Sequence, residues 1–390
     1  MTATAAQLSA PASSTTPLAL AITGFGVLSG AGIGIEALAS ALAAGHSPTA
    51  DVSGMFEDPL PRRDAHALVD FRVRDHLGRK GTSFFDRSTS LAMVACEEAF
   101  ADTDLEVGDA SRDRMGITLG TTAGSAKSTS DYSRDTFVQE RPYLVNPLLF
   151  PNAVMNCAAG QAAIRYGLKG VNATIAGGHL AMLNVLRYSR NLIGCGYADA
   201  LLAGCVEEFS PQSAWAVHYA QRTDGGRLAP GEGAAVFVVE SAAAVRAAGR
   251  RPDAEILAVE TGVYDPPGAD GTFVAGLTSC LARALKRAGV RPDEVTAVAT
   301  AANGMPRFDE AEEAAVTAVL GAGPERLRVK DLTGEAFSAS GAFQLAALLA
   351  RHRTQPARDG ELSVITTLGA DGAAGAAVVR GWSRADGDHG

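Results

Sequence analysis

Hydrophobic runs that end in small residues alternate with amphipathic segments along most of this chain. The run "MGITLGTTAG", residues 115–124, is apolar on both faces, which is typical of a strand buried between helices. Asp86–Phe100 has the spacing of a helix, and Asp86 stands where its carboxylate can cap the first turn. The pattern therefore predicts an α/β protein whose parallel strands are covered by helices on both sides.

The same alternation begins again near Arg251. A strand-like run at 254–264, an amphipathic helix at 272–290 and a buried strand at 294–304 follow each other. This repeat predicts a duplicated α/β core, with an N-terminal half at 17–250 and a C-terminal half at 251–390. Residues 1–16 lack the charged start and the apolar centre of a signal peptide, so we expect a disordered tail there.

The stretch "NATIAGGHLAML", residues 172–183, raises the main question about function. A β-prone run, Asn172–Ala176, stops at two glycines, and a helix-prone run follows at once. A strand that turns sharply on small residues into a buried helix usually presents a nucleophile at the bend. The residue at this bend is His179. It is either a nucleophile or base, or a hydrogen-bonded core residue that fills the space.

Composition and charge narrow the possible functions. The formal net charge is −9, and no basic stripe is interleaved with aromatic residues, so we expect no nucleic-acid partner. No apolar run reaches the roughly 18 residues of a membrane-spanning helix, so we expect no membrane partner. The five cysteines are odd in number and have no metal-ligand spacing. They predict reduced thiols in a cytoplasmic protein without disulfides or a metal site.

Two further patterns bear on the chemistry of the chain. The glycine-rich loops, such as "PGEGAA" at 230–235, lack the lysine and hydroxyl residue that end a phosphate-binding loop, so we expect no cofactor. Asp309, Glu310, Glu312 and Glu313 lie at the start of a predicted helix. Carboxylates are favourable there because of the helix dipole, and we interpret the cluster as capping.

Five segments spread over most of the chain have a distinctive pattern of glycine and small residues: "ITGFGVLSGAGIGIEALASALAAGHS", "NPLLFPNAVMNCAAGQAAIRYGLKG", "PGEGAAVFVVES", "VKDLTGEAFSASGAFQLAALL" and "TTLGADGAAGAAVV". With these segments the chain resembles the β-ketoacyl synthase family of the thiolase fold, from about residue 19 to residue 380. The resemblance implies a duplicated α/β protein with α-β-α-β-α layers.

In that family a cysteine accepts an acyl chain from an acyl carrier protein, and two histidines promote decarboxylation of the malonyl extender. Matching the motifs places His179 at the cysteine position, with Ala301 and Glu335 at the histidine positions. The lysine of the "KDLTG" motif is kept as Lys330. All three catalytic positions are therefore changed together, and we expect Lys330 and Glu335 to form a structural ion pair. We also expect the helix dipole to keep His179 neutral.

A ketosynthase-like chain without its cysteine is similar to the chain length factor of type II polyketide synthases. The resemblance implies a heterodimer with an active ketosynthase, joined through the strand Asn172–Ala176, and an acyl carrier protein bearing the growing chain. The residues expected at the tunnel or the interface are Ala126, Thr129, Ser130, Tyr132, Leu148, Leu149, Phe150, Asn172 and Thr174. Histidine in place of the glutamine of aromatic systems fits a divergent branch, such as one that makes polyenes.

Three hypotheses follow. The first is a noncatalytic subunit that shapes the tunnel of a partner ketosynthase and so sets chain length. The second is a stand-alone enzyme that transfers or hydrolyses acyl groups with His179. The third is a homodimeric module that binds acyl groups or a carrier protein. The negative net charge disfavours direct docking of an acidic carrier protein on this chain.

Overall fold

The computed structural model describes residues 18–109, 111–226, 228–268, 271–353 and 355–384. The tail predicted at 1–16 lies outside these residues. The strands are β1 Leu20–Ser29, β2 Gly32–Ile33, β3 Ala50–Asp51, β4 Asp64–Ala65, β5 Met115–Thr121, β6 Asn172–Ala176, β7 Ala200–Glu207, β8 Gly233–Ser241, β9 Ala254–Val263, β10 Val295–Ala299, β11 Glu325–Leu327, β12 Leu362–Leu368 and β13 Ala373–Gly381.

Helices fill most of the connections between these strands. They are α1 Ile35–Ala44, α2 Val73–Leu77, α3 Arg87–Asp102, α4 Ala126–Val138, α5 Cys157–Tyr166, α6 Ala181–Gly194, α7 Pro211–Asp224, α8 Ala242–Ala247, α9 Thr272–Ala288, α10 Pro306–Leu320, α11 Lys330–Thr333 and α12 Phe337–Arg353. The predicted cap of α3 is confirmed, because the Asp86 carboxylate accepts a hydrogen bond from the Thr89 N–H.

One strand order appears twice in the sheet. The order is β1-β8-β7-β5-β6 on one side and β9-β13-β12-β10-β11 on the other. If the five strands of each set are numbered in chain order, both sets have the spatial order 1-5-4-2-3. The two sets meet where β1 and β9 pair antiparallel over three residues of each strand. This repeated order is the duplication that the sequence pattern predicted. We keep the proposed boundary near residue 250, which falls between α8 and β9.

Two buried helices, α6 and α12, separate the two sets of strands. Leu183 and Leu186 of α6 and Phe343 of α12 belong to one core cluster that includes residues of β1, β7, β8, β9 and β13. Helices α3 and α5 cover the outer face of the first set, and α9 and α10 cover the outer face of the second. A helix between two sheets needs apolar or small residues all round, as α12 has. The predicted α-β-α-β-α layering is confirmed.

One predicted helix begins later than expected. The run "PNAVMNCAAGQAAIRYGLKG", residues 151–170, predicts a helix that starts at Pro151 and stops near Gly167. Residues Pro147–Ala153 instead form 3₁₀ turns, and α5 begins only at Cys157. The predicted stop is confirmed, because Gly167 ends α5 in the left-handed conformation, with φ of 65°.

Candidate functional site

The bend that the sequence singled out lies at the end of the edge strand β6. After Ala176, Gly178 adopts φ of 49°, a left-handed conformation that favours glycine. A 3₁₀ turn, Gly178–Leu180, then leads into α6. A Cβ on Gly177 would lie 3.0 Å from the Cα of Ala181, so a side chain there would push the strand and the helix apart by a few tenths of an ångström. The two glycines fix the position of His179 at the start of the buried helix.

His179, Glu335 and Lys330 form one hydrogen-bonded set. The His179 Nε2 atom lies 3.2 Å from Glu335 Oε1, and the Lys330 Nζ atom lies 2.7 Å from Glu335 Oε2. The exposed fractions of the side chains are 21% for His179, 8% for Glu335 and 2% for Lys330. The structure therefore joins three of the four positions that the sequence aligned with catalytic residues. The expected Lys330–Glu335 ion pair is present.

Glu335 is held as a carboxylate by the groups around it. Its Oε1 atom also accepts hydrogen bonds from the Phe337 N–H at 2.9 Å and the Ser340 hydroxyl at 3.3 Å. Burial alone would raise the pKa of the Glu335 carboxyl. The Lys330 ammonium and the His179 imidazole outweigh burial and hold that pKa well below its usual value. A negative charge therefore faces the imidazole at the bend.

Ala301, the fourth position, lies just beyond β10 in an apolar cluster with Phe308 and Leu368. Its methyl side chain offers no hydrogen-bond donor. The Ala301 N–H donates instead to Glu312 Oε1 at 2.8 Å, and the Thr366 hydroxyl donates to the same oxygen at 2.5 Å.

The capping interpretation is wrong for Glu312. This side chain is 2% exposed and is turned toward the sheet rather than the start of α10. Burial raises the pKa of its carboxyl to about 7, in spite of the two donors. The capping interpretation fits Asp309 better, because its carboxylate accepts hydrogen bonds from the N–H groups of Asn303 and Gly304 in the loop before α10.

A small cavity of about 120 Å³ opens beside His179. Glu335 and Phe337 also border it, and the other walls come from α7, α10 and the loop after β12. Phe337 has φ of 40°, which is rare for a residue with a side chain. Its ring centre lies 5.6 Å from that of His179. No sequence signal marked Phe337, because tertiary contacts impose its backbone conformation.

A second and larger cavity, of about 650 Å³, lies between α4, the 3₁₀ turns after residue 147 and β6. Thr129, Asn172 and Thr174, three of the residues expected at the tunnel or interface, line it together. The Thr129 hydroxyl also donates to the Ala153 carbonyl at 3.3 Å. Ala126 and Ser130, on the same helix, are not among the lining residues.

The remaining expected interface residues form an apolar surface beside this cavity. The rings of Tyr132 and Phe150 lie 5.8 Å apart. Leu148, Leu149 and Phe150 are 62%, 43% and 53% exposed. Strand β6 pairs with β5 on one side, and within the described ranges no strand pairs with its outer edge. An open strand edge next to exposed apolar side chains is unusual for a surface that stays in water.

Neither a metal site nor a membrane-spanning helix is present in the part of the chain that the structure describes. No group of three or more histidine, cysteine, aspartate or glutamate side chains is placed to hold a metal ion there. In the same ranges, no helix is long and apolar enough to cross a bilayer. All five cysteines are free thiols, and Cys205 is buried in β7.

Comparison with protein families identifies the chain. The profile "Beta-ketoacyl synthase, N-terminal domain" matches residues 19–244, and the profile "Beta-ketoacyl synthase, C-terminal domain" matches residues 265–357. The chain belongs to the β-ketoacyl synthase family. The thiolase-like fold that the resemblance implied is therefore confirmed.

Individual members of the β-ketoacyl synthase family are similar over most of the chain. "The ishigamide ketosynthase/chain length factor" superposes with a TM-score of 0.82 and 34% identity, covering 93% of this chain and 99% of that chain. The 3-oxoacyl-[acyl-carrier-protein] synthase 2 of Coxiella burnetii is 27% identical, over 86% of each chain. The same enzyme of Staphylococcus aureus strain N315 is 26% identical, over 83% of each chain.

The chemistry open to this ketosynthase-family chain follows from the groups at the bend. No thiol lies at the end of β6, since residue 179 is histidine and Cys205 is buried in the next strand. Burial raises the pKa of the Cys205 thiol above its ordinary value, which disfavours a reactive thiolate. The groups that remain are one imidazole, one carboxylate and one ammonium, all hydrogen-bonded together.

Proposed function

We propose that this chain is the chain length factor of a type II polyketide synthase: a subunit that makes no carbon–carbon bond itself, pairs with an active ketosynthase and shapes the tunnel that holds the growing chain. The observation that carries the proposal is the His179–Glu335–Lys330 set. In the motif match, His179 and Glu335 align with a ketosynthase's nucleophile and one of its histidines.

The electrostatics of the set oppose condensation. Decarboxylation of a malonyl group builds negative charge on an enolate oxygen, and donors aimed at that oxygen stabilise it by several kcal/mol. Here Glu335 places a carboxylate beside the bend, and Ala301, the residue aligned with the other histidine, has no side-chain donor. The Lys330 ammonium is engaged by Glu335 at 2.7 Å. The site therefore lacks both the nucleophile and the charge pattern that condensation needs.

The open edge of β6 and the apolar surface beside it support a partner ketosynthase. In the proposed heterodimer, Asn172–Ala176 pairs antiparallel with the equivalent strand of the partner and satisfies the exposed N–H and carbonyl groups. Leu148, Leu149 and Phe150 would be covered by the same partner. The likeness to a structure described as a ketosynthase/chain length factor, at 34% identity, supports this assignment.

The 650 Å³ cavity is the proposed site where this chain limits the polyketide. It borders β6, the proposed contact strand, so it would continue into the heterodimer interface. Small or short side chains line it, including Thr129 and Thr174. An acyl carrier protein would deliver the chain to the partner's cysteine. The free thiols favour a cytoplasmic location, and we propose that the product is a polyene or another reduced chain.

Enlarging Thr129 tests this proposal. The full chain is produced together with a ketosynthase that keeps its cysteine, and product length is read by mass spectrometry. Thr129→Phe fills part of the cavity, so the pair should release a product shortened by one or more malonyl-derived units. Arg134→Phe, at an exposed position of the same helix α4, is the matched control and should leave the length unchanged. An assembled pair whose product length ignores Thr129→Phe would contradict the proposal.

A further inference from the structure

We propose that His179 acts as a general base that hydrolyses short, uncharged acyl thioesters in the cavity beside it. This activity would be additional to the role in setting chain length. It involves no carbon–carbon bond, and it uses groups that the tunnel role leaves unexplained.

The hydrogen bonds around Glu335 decide the tautomer of a neutral His179 ring. Oε1 of Glu335 already accepts from the Phe337 N–H, and Oε2 accepts from the Lys330 ammonium, as a carboxylate does. An ionised carboxylate can only accept hydrogen bonds. In the neutral ring, the His179 Nε2 atom, 3.2 Å from Oε1, therefore carries the hydrogen and donates it. The lone pair of the imidazole is then on Nδ1.

The Nδ1 atom is available to a substrate. Among the described residues, none forms a hydrogen bond with it. His179 borders the 120 Å³ cavity and its side chain is 21% exposed, so the ring is neither sealed in the core nor displayed on the open surface. A neutral imidazole whose other nitrogen is oriented by a carboxylate is the arrangement that activates a nucleophile in acyl-transfer enzymes. Here the nucleophile would be water, because no side-chain thiol or hydroxyl lines the cavity.

The cavity selects the substrate by size and charge. Its volume equals that of about four water molecules in the liquid, which suits an acyl group of roughly two to four carbons. The Glu335 carboxylate, which borders the cavity, disfavours a second anion, so a malonyl group would bind poorly. The apolar walls are contributed by Val217, Ala220, Met305, Phe308, Leu368 and Ala370.

The proposed reaction balances with water as its only co-reactant. Nδ1 of His179 takes a proton from a water molecule as the water oxygen bonds to the thioester carbonyl carbon. The tetrahedral intermediate collapses, the carbon–sulfur bond breaks, and the departing sulfur receives the proton from Nδ1. The products are a carboxylic acid and a free thiol, and the imidazole is neutral again. Glu335 acts only as a positioning residue, which holds the ring in the required tautomer.

The test measures release of free acid from acetyl, butyryl and malonyl thioesters of N-acetylcysteamine by chromatography, using the purified full chain. Hydrolysis of the acetyl and butyryl substrates should exceed the uncatalysed rate, and malonyl should be hydrolysed at least tenfold more slowly. His179→Gln should reduce kcat at least 100-fold, since general bases contribute factors of about 10²–10⁴. Cys195→Ser removes an exposed thiol outside the cavity and should leave the rate unchanged.

Two further variants test the roles of Glu335 and of the cavity wall. The folded fraction of each is checked by circular dichroism, because Glu335→Gln leaves the Lys330 ammonium buried without its partner. Glu335→Gln removes the charge that orients the ring, so kcat should fall while KM for the acetyl substrate stays constant. Ala370→Leu, at an exposed turn that borders the cavity, should reduce butyryl hydrolysis more than acetyl hydrolysis. Equal rates for wild type and His179→Gln, or malonyl cleaved as fast as acetyl, would overturn the inference. Product length from the ketosynthase pair is a separate readout, so failure here leaves the chain-length proposal standing.

Discussion

Removing the Lys330 ammonium should destabilise the protein far more than removing a surface charge. Lys330 is 2% exposed and its Nζ atom lies 2.7 Å from Glu335 Oε2. Lys330→Met keeps most of the side-chain volume but leaves the Glu335 carboxylate buried without its cation. Breaking one partner of a buried ion pair costs about 3–5 kcal/mol, so the free energy of unfolding should fall by that amount at pH 7.

The double variant Lys330→Met/Glu335→Gln separates the ion pair from the packing. With both charges gone, no uncompensated charge is buried, and stability should return to within about 1.5 kcal/mol of the wild type. Lys169→Met is the matched surface control. Lys169 lies 3.4 Å from Asp113, both side chains are mostly exposed, and its loss should cost less than about 1 kcal/mol. Urea unfolding followed by tryptophan fluorescence measures all four proteins.

The pH dependence gives an independent check on the same pair. The pKa of Glu335 is lowered in the folded protein, so its stabilising contribution is present above its unfolded value of about 4.5. That contribution is lost as the pH falls through the folded pKa. In Lys330→Met the Glu335 pKa rises, so the deficit relative to wild type should shrink on acidification. A loss below about 1 kcal/mol at pH 7, or a double variant as unstable as the single one, would refute the reasoning.

Two further predictions concern the partner surface and a second buried acid. Phe150→Asp should weaken pairing with the ketosynthase at least tenfold in a titration without lowering the stability of the chain. Tyr197→Asp, also at an exposed aromatic side chain but just before β7, should not weaken pairing, and equal effects of the two variants would contradict the assigned interface. Burial raises the pKa of the Glu208 carboxyl to about 7, so ionisation of this group destabilises the folded state increasingly between pH 4.5 and 7. The free energy of unfolding of Glu208→Gln should therefore exceed that of the wild type by up to about 3 kcal/mol at pH 8. Near pH 4.5 the two proteins should be equally stable.

Local pattern and family motifs predicted much of the fold. The buried strand at β5, the cap at Asp86 and the glycine bend at residues 177–178 all depend on short-range preferences that the sequence displays directly. The Lys330–Glu335 ion pair could also be predicted from the sequence, because the two residues are only five positions apart. These features need no knowledge of the tertiary structure.

The features that could not be predicted from the sequence depend on contacts between segments that are distant along the chain. His179 and Glu335 are 156 positions apart, so the tautomer of the imidazole could not be derived before the halves were placed together. Glu312 has the local context of a helix cap, and only its burial against Thr366 shows otherwise. The left-handed backbone of Phe337, which sets one wall of the small cavity, likewise follows from its surroundings.

The most direct measurement asks whether the chain forms a carbon–carbon bond by itself. The purified full chain is incubated with malonyl-loaded and acyl-loaded acyl carrier protein, and the carrier is analysed by mass spectrometry. With histidine at residue 179 and a carboxylate at residue 335, no β-ketoacyl carrier should form. The same mixture should yield β-ketoacyl products once an active ketosynthase is added. Formation of a β-ketoacyl carrier by the chain alone would contradict the assignment.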